Sequence, residues 1–318
     1  MNLFIFIRNN DIHLFLQRYF SKVSIKAKQY CLTLLLFAGS ILPVELCAAN
    51  YYWVGGSGNW NDLTHWATAS GGAIKHTIVP SVLDNVIFDI NSFTATGQTV
   101  TVNQEAYCMD FKWDNVSNNP TFNGAGFNLN VSGDFIALGT PYTFNHVNGN
   151  LTIGKDFLVD GSNMSFTKNG GTMAITGKFD IKNVATLFFT RNSSITVGSN
   201  MTFTDATMTS FTTSGITITS GNLSFVNSKT TGTFSSGTIT LSNGGITIPS
   251  WNGGNFLTGS ITMTGSLILN AWTTGSLTTG NIISSAGKIL IEGWSAASGS
   301  MVNLSSAANV GGFEFKIQ

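Results

Sequence analysis

The chain has 318 residues, of which only 9% are charged, against roughly 25% in an ordinary globular protein. Its 15 Lys and Arg balance 15 Asp and Glu, which excludes the strongly basic face of a nucleic-acid binder. An aromatic content of 12% excludes a disordered tail, and two of the three cysteines fall before residue 50, which excludes a disulfide scaffold.

Residues 1–49 read as an export signal. Arg18, Lys22, Lys26 and Lys28 make a positive n-region, Cys31 to Val44 is almost wholly apolar, and Leu46-Cys47-Ala48-Ala49 offers small residues for cleavage after Ala49. The apolar run is shorter than the roughly 20 residues a membrane helix needs, so an anchor is the lesser reading and no span is expected in the mature chain. Lipid attachment at Cys47 is an alternative, against which Leu46 stands where such signals carry Gly, Ala or Ser. The leader is long, and Met1–Phe20 also reads as an over-extended start. Removal of 1–49 leaves a net charge of −3 and Cys108 as the one thiol, so an internal disulfide is not available to the exported chain.

Residues 50–93 form a Trp- and Gly-rich block, YYWVGGSGNWNDLTHWATASGG followed by VPSVLDNVIFDINSF. The arrangement W-x-G-G-x-G-x-W-x-D-x-x-x-W, then P-x-x-x-D-x-V-x-F-D, resembles the opening module of large secreted β-helix proteins of Bacteroidetes. It is similar also to blocks that open autotransporter passenger repeats. Trp53, Trp60, Trp66, Asp62, Pro80, Asp84 and Phe88 carry the match. The resemblance implies a lead-in to the first coil and no catalytic site. Physical reasoning agrees, because a solenoid end exposes apolar surface and strand edges that a cap must cover. Three Trp supply the area and Gly55, Gly56 and Gly58 the tight turns. Sugar binding is the lesser reading of this block.

From residue 94 to 318 the chain repeats itself. Apolar pairs at i and i+2 recur as Phe135/Ala137, Phe157/Val159, Phe179/Ile181, Met201/Phe203, Leu223/Phe225, Ile246/Ile248, Leu267/Leu269, Ile289/Ile291 and Phe313/Phe315. A second column runs from Leu129/Val131 through Leu151/Ile153 to Ile261/Met263, and a third is aromatic: Phe122, Phe144, Phe166, Phe189, Phe211, Phe234 and Phe256. All three share a period of about 22 residues. Period-2 alternation within each run means half-buried strands, and the intervening Gly, Ser, Asn and Thr supply turns. Three short strands per coil predict a right-handed parallel β-helix of nine to ten coils, stacked at about 4.8 Å. The leucine-rich pattern and a six-residue apolar beat are both absent. In-register stacking also explains the low charge, since like charges would face each other on neighbouring strands.

The sequence shows little that looks catalytic. The best carboxylate pair in register is Asp134 and Asp156, in a column that continues as Lys178, Asn200 and Asn222, and it reads as a solvated turn pair. Arg191 has no acidic cluster at its stacked positions, and His65, His76 and His146 lie on different elements. Cys108 reads as a buried thiol. No metal or cofactor is expected.

Two outer columns remain as ligand candidates. Trp251, Trp272 and Trp294 each fall three residues after the last inward residue of a coil, predicting an aromatic edge that either platforms sugar rings or shields a turn. Thr152, Thr196, Thr217, Thr240 and Thr262, flanked by Thr219, Ser242 and Thr264, form an outward Thr row broken by Ala174. Strand preference explains most of that row, and ice binding is a remote reading of it. The expectation is therefore a non-enzymatic, exported structural or adhesive protein of the cell surface or medium. Surface glycans or other cell-surface proteins are its expected partners, and it is expected to act as a monomer or a section of a longer chain. The alternative is a carbohydrate-binding or carbohydrate-cleaving β-helix that uses the Trp edge.

Overall fold

The structure is a computed structural model that describes residues 48–318, leaving aside 140, 162, 294–301, 310–312 and 317–318. For 302–309 and 313–316 it describes the strand path alone. The expected export signal, Cys47 included, lies outside the described residues except for Ala48 and Ala49. Ala49 is already tied into the fold: its N–H donates to Asp84 Oδ1 at 3.1 Å and its carbonyl accepts from the Asn85 N–H at 2.8 Å.

The described chain winds into a parallel β-solenoid of about nine turns with a spacing of about 22 residues. One strand of each turn belongs to a first sheet and two to a second, merged into one long strand at Thr207–Ile218, Lys229–Leu241, Leu277–Ser284 and Val302–Asn309. In one turn these are Phe135–Leu138 in the first sheet, then Tyr142–Asn145 and Leu151–Ile153 in the second. All three sequence columns are in register. Phe135 pairs with Phe157, Phe157 with Phe179, and the column continues through Met201, Leu223, Ile246, Leu267 and Ile289 to Phe313. Apart from one 3₁₀ turn at Leu63–His65, the described residues hold no helix, and none long and apolar enough to cross a membrane.

Alternation drives this arrangement. Every second residue of a strand points inward, where it meets its equivalent one turn away rather than a partner of different shape. Identical flat rings therefore stack. Phe122, Phe144, Phe166, Phe189, Phe211, Phe234 and Phe256 form one ladder, with centroids 4.6–5.0 Å apart and planes within 11° of parallel. Phe111, Phe135, Phe157 and Phe179 form a second at 4.8 Å. The ladders meet edge to face, as at Phe135 and Phe144, 5.5 Å apart and inclined 85°. Each such contact adds roughly 0.5–1.5 kcal/mol beyond the area it buries.

The turns that end the successive first-sheet strands from Phe135–Leu138 to Leu223–Val226 each hold a left-handed residue. Gly139, Gly161, Asn183, Asp205 and Asn227 take φ of 80°, 70°, 54°, 49° and 49° on successive turns. Gly, Asn and Asp are the types that reach this region at least cost, so the corner sets their recurrence at the coil period.

The Trp-rich block is woven into the solenoid rather than laid across it. Asn50–Trp53 and Asn85–Phe88 are parallel rungs of the first sheet, and Gly58–Asn59 pairs with Thr99–Thr101 in the second. The short strand Trp66–Ala67 pairs antiparallel with Asn50–Trp53 and covers the edge of the first sheet. The excursion that makes this covering strand stretches the first step to 35 residues, from Tyr51 to Val86, so the block lacks the 22-residue beat. Trp53, Trp60, Trp66 and Phe88 are fully buried, and Trp66 meets Trp53 and Trp60 edge to face, each at 4.9 Å.

Candidate functional site

The structure moves the predicted Trp edge indoors. Trp251 and Trp272 are 0% and 1% exposed, stacked on each other at 5.3 Å, and Trp251 packs edge to face on Phe225 and Phe256. Parity fails as a guide here because each Trp follows a turn, which restarts the in–out alternation. The two residues form an isolated parallel bridge of their own. Their indole N–H groups reach Gly254 and Gly275 carbonyls, so neither ring face nor ring edge is open to a sugar. Trp294 lies outside the described residues.

The acidic column is a backbone device. Asp110 Oδ1 accepts the N–H of Asp134 (3.0 Å), Asp134 that of Asp156 (2.9 Å), and Asp156 that of Lys178 (2.7 Å). Further along, Asn200 accepts from Asn222 and Asn222 from Gly245, so the amide oxygen takes over the same task. Each side chain satisfies the turn of the next coil, which leaves Asp134 and Asp156 committed to the fold.

Asp62 and Asp84 in the N-terminal block behave alike. Asp62 caps the 3₁₀ turn by accepting from the Thr64 N–H and hydroxyl, and Asp84 holds Ala49 and Ser81. His65 stacks on Trp53 and His76 on Tyr51, at 4.6 and 3.6 Å. Cys108 is a free, fully buried thiol whose pKa is raised well above the ordinary value, first by burial and then by Asp110. Among the described residues no group of three or more His, Cys, Asp or Glu could hold a metal ion.

A feature that sequence reasoning missed lies two residues after the aromatic ladder, at the corner of the second sheet. Phe144, Phe166 and Phe189 are followed at that spacing by His146, Lys168 and Arg191, all buried at 1% exposure or less. The column continues as Thr213, Ser236 and Thr258, also buried, so the corner carries a polar seam along the interior. Lys168 Nζ donates to the Gly149 and Gly170 carbonyls. Arg191 donates to Ser194, Lys168 and Gly171 carbonyls at 2.9, 3.4 and 3.0 Å. Burial, then the Arg191 charge, pulls Lys168 down to about 8. Burial draws Arg191 down to about 10, where it still keeps its charge at neutral pH. His146 is held down to about 4, chiefly by burial and then by Lys168, so its ring is neutral. Gly124 makes room for that ring: a Cβ there would lie 2.1 Å from it. The sequence signal was available as the residue two places beyond each stacked Phe.

Outside, the second sheet presents columns of small polar side chains. Thr99, Thr121, Thr143 and Ser165 stack in one, with Ser210 and Thr233 further along. Thr101, Asn123, Asn145, Thr167, Thr190 and Thr212 stack beside them. The expected Thr row is in register too, as Thr152, Ala174, Thr196, Thr217, Thr240 and Thr262, then Ile283. Ala174 and Ile283 limit its run of hydroxyls to four consecutive turns. Between Thr99 and Thr233 of the first outer column Phe188 interrupts the hydroxyls: 44% exposed, it stacks on Ser165 and before Ser210.

Comparison of the chain with known protein families, with characterised proteins and with solved structures finds no match in any of the three.

Proposed function

We propose that this chain is an exported, non-enzymatic surface protein, a rigid solenoid that displays adhesive faces. The observation that carries the reading is how the polar groups are used. The interior is filled by stacked apolar ladders beside one polar seam whose Lys168 and Arg191 are held by backbone carbonyls, and the stacked carboxylates Asp134 and Asp156 serve backbone N–H groups of the next turn. What is left for a partner is the long outer surface of hydroxyl and amide columns. Such a surface suits contact with another surface better than the enclosure of a small substrate. The N-terminal motif, which resembles that of secreted β-helix proteins of Bacteroidetes, and the signal-like residues 1–49 support export.

The test is fractionation of producing cells with an antibody to the chain, combined with incubation of the purified chain on immobilised cells and on soluble polysaccharides. The expected result is chain in the surface or medium fraction, saturable attachment to cells, and no new reducing ends or unsaturated products. Confinement to the cytosol, or turnover of a polysaccharide, would overturn the reading.

A further inference from the structure

We infer that the surface groove beside Phe188 is a binding site for neutral saccharide chains, an inference that rests on the adhesive reading above and names its ligand. The groove has a volume of about 230 Å³. Thr143, Ser165 and Phe188 of the outer column line it, together with Asn119, Asn163 and Thr186 from turns that lead into strands of the same sheet.

Three observations converge on it. Phe188 stands outside the inward aromatic ladder and keeps much of its ring in solvent. The stacked neighbours are hydroxyl residues, its partner Phe189 already fills the inward ladder, and 44% of its surface meets solvent. Pairing to the next turn slips between Leu187 and Phe188, a register irregularity of the kind that re-aims a side chain next to functional surfaces. The turns beside Phe188 are also organised, since Asn163 Oδ1 accepts the Thr186 N–H at 2.8 Å and so ties one turn to the next.

The chemistry selects the ligand. An aromatic face suits the apolar C–H side of a pyranose ring, and hydroxyls and carboxamides both donate and accept, as sugar hydroxyls require. Among the described residues no charged side chain lines the groove, so nothing there would repay the desolvation of a phosphate, sulfate or uronate. Its volume falls below the roughly 300–1,000 Å³ of a pocket that encloses a small molecule. One or two units of a longer chain lying across the surface fit that size better than a ligand held whole.

The experiment is an array of neutral and acidic glycans probed with the purified full-length chain and with Phe188→Ala, Ser165→Arg and Thr240→Ala. Phe188 is exposed, so its removal leaves the fold intact, and thermal melts confirm this for each variant. The expected result is binding to one or more neutral glycans that weakens by up to about tenfold in Phe188→Ala, the equivalent of one lost stacking contact. Ser165→Arg, which fills the groove beside the ring, weakens it likewise, and Thr240→Ala leaves it unchanged. Binding to acidic glycans alone, binding that Phe188→Ala does not weaken, or no glycan binding would overturn the inference. Saturable attachment to cells without glycan binding would overturn this inference while the adhesive reading stands, and a partner protein would then be the occupant. Loss of both would sink both.

Discussion

Lys168 and Arg191 stand on successive turns in the same buried column, two cations in register held by backbone carbonyls. The arrangement costs the fold something, and pH reveals it. Lys168 sits at about 8 in the folded chain against 10.5 when free, so between those values the unfolded chain binds more protons. Stability is therefore expected to rise as pH climbs from 8 towards 10.5, by up to about 3 kcal/mol. Below pH 8 the penalty is fully present. Urea midpoints of the wild type and of Lys168→Met between pH 7 and 10 measure this, and the substituted chain should lose that rise. Tyr142, whose pKa burial raises rather than lowers, acts in the opposite direction at the alkaline end, so the comparison of the two chains is what isolates Lys168.

His146 gives the acid counterpart. Its imidazole shares the column with Lys168, one turn away, and Arg191, two turns away, and burial first, then Lys168, holds it at about 4, below its ordinary 6.5. The unfolded chain takes up a proton first as pH falls, so stability present above pH 6.5 should drain away between 6.5 and 4. The loss amounts to about 3 kcal/mol. His146→Phe, placed in the space that Gly124 leaves, should flatten that limb of the profile. Denaturation midpoints at pH 7, 5.5 and 4 decide it, and an equally steep limb in the variant would assign the acid sensitivity elsewhere.

Trp272 belongs to the core, and its removal should read as instability. It is 1% exposed and stacked on Trp251, so Trp272→Ala is expected to cost about 3–5 kcal/mol in chemical denaturation. Any glycan binding by the fraction that remains folded should be unchanged. A variant as stable as the wild type would contradict the burial of this pair.

The contrast between Trp272 and Phe166 shows what the sequence made legible. Phe166 lies inside a strand, where alternation and the 22-residue period both act, and its ladder partners were readable as a column before any coordinates. Trp251 and Trp272 lie beyond a turn, where counting from the last inward residue carries no parity. His146, Lys168 and Arg191 escaped for another reason: a column is recognised by likeness, and these three share only position and polarity. Phe188 escaped because an outward Phe beside an inward one looks like one more aromatic of the core. Asn50–Trp53 and Asn85–Phe88 were hidden as rungs by the long excursion between them, which breaks the period without breaking the register.

Asp156 tests the claim that the acidic column serves the backbone. Its Oδ1 accepts the Lys178 N–H at 2.7 Å, and its own N–H is held by Asp134 at 2.9 Å. Asp156→Ala should cost about 1–2 kcal/mol, because the turn N–H of the next coil loses its acceptor. Asp156→Asn should cost little, since Asn200 and Asn222 already perform the same task with an amide oxygen further along the column. The two variants separate structure from chemistry. A carboxylate with a catalytic or ion-binding role would be lost equally in both, whereas a backbone acceptor survives the change to Asn. Thermal unfolding of the wild type, Asp156→Ala and Asp156→Asn at pH 7 reads the difference, and an Asn variant as unstable as the Ala variant would mean that the negative charge itself has a role at this corner.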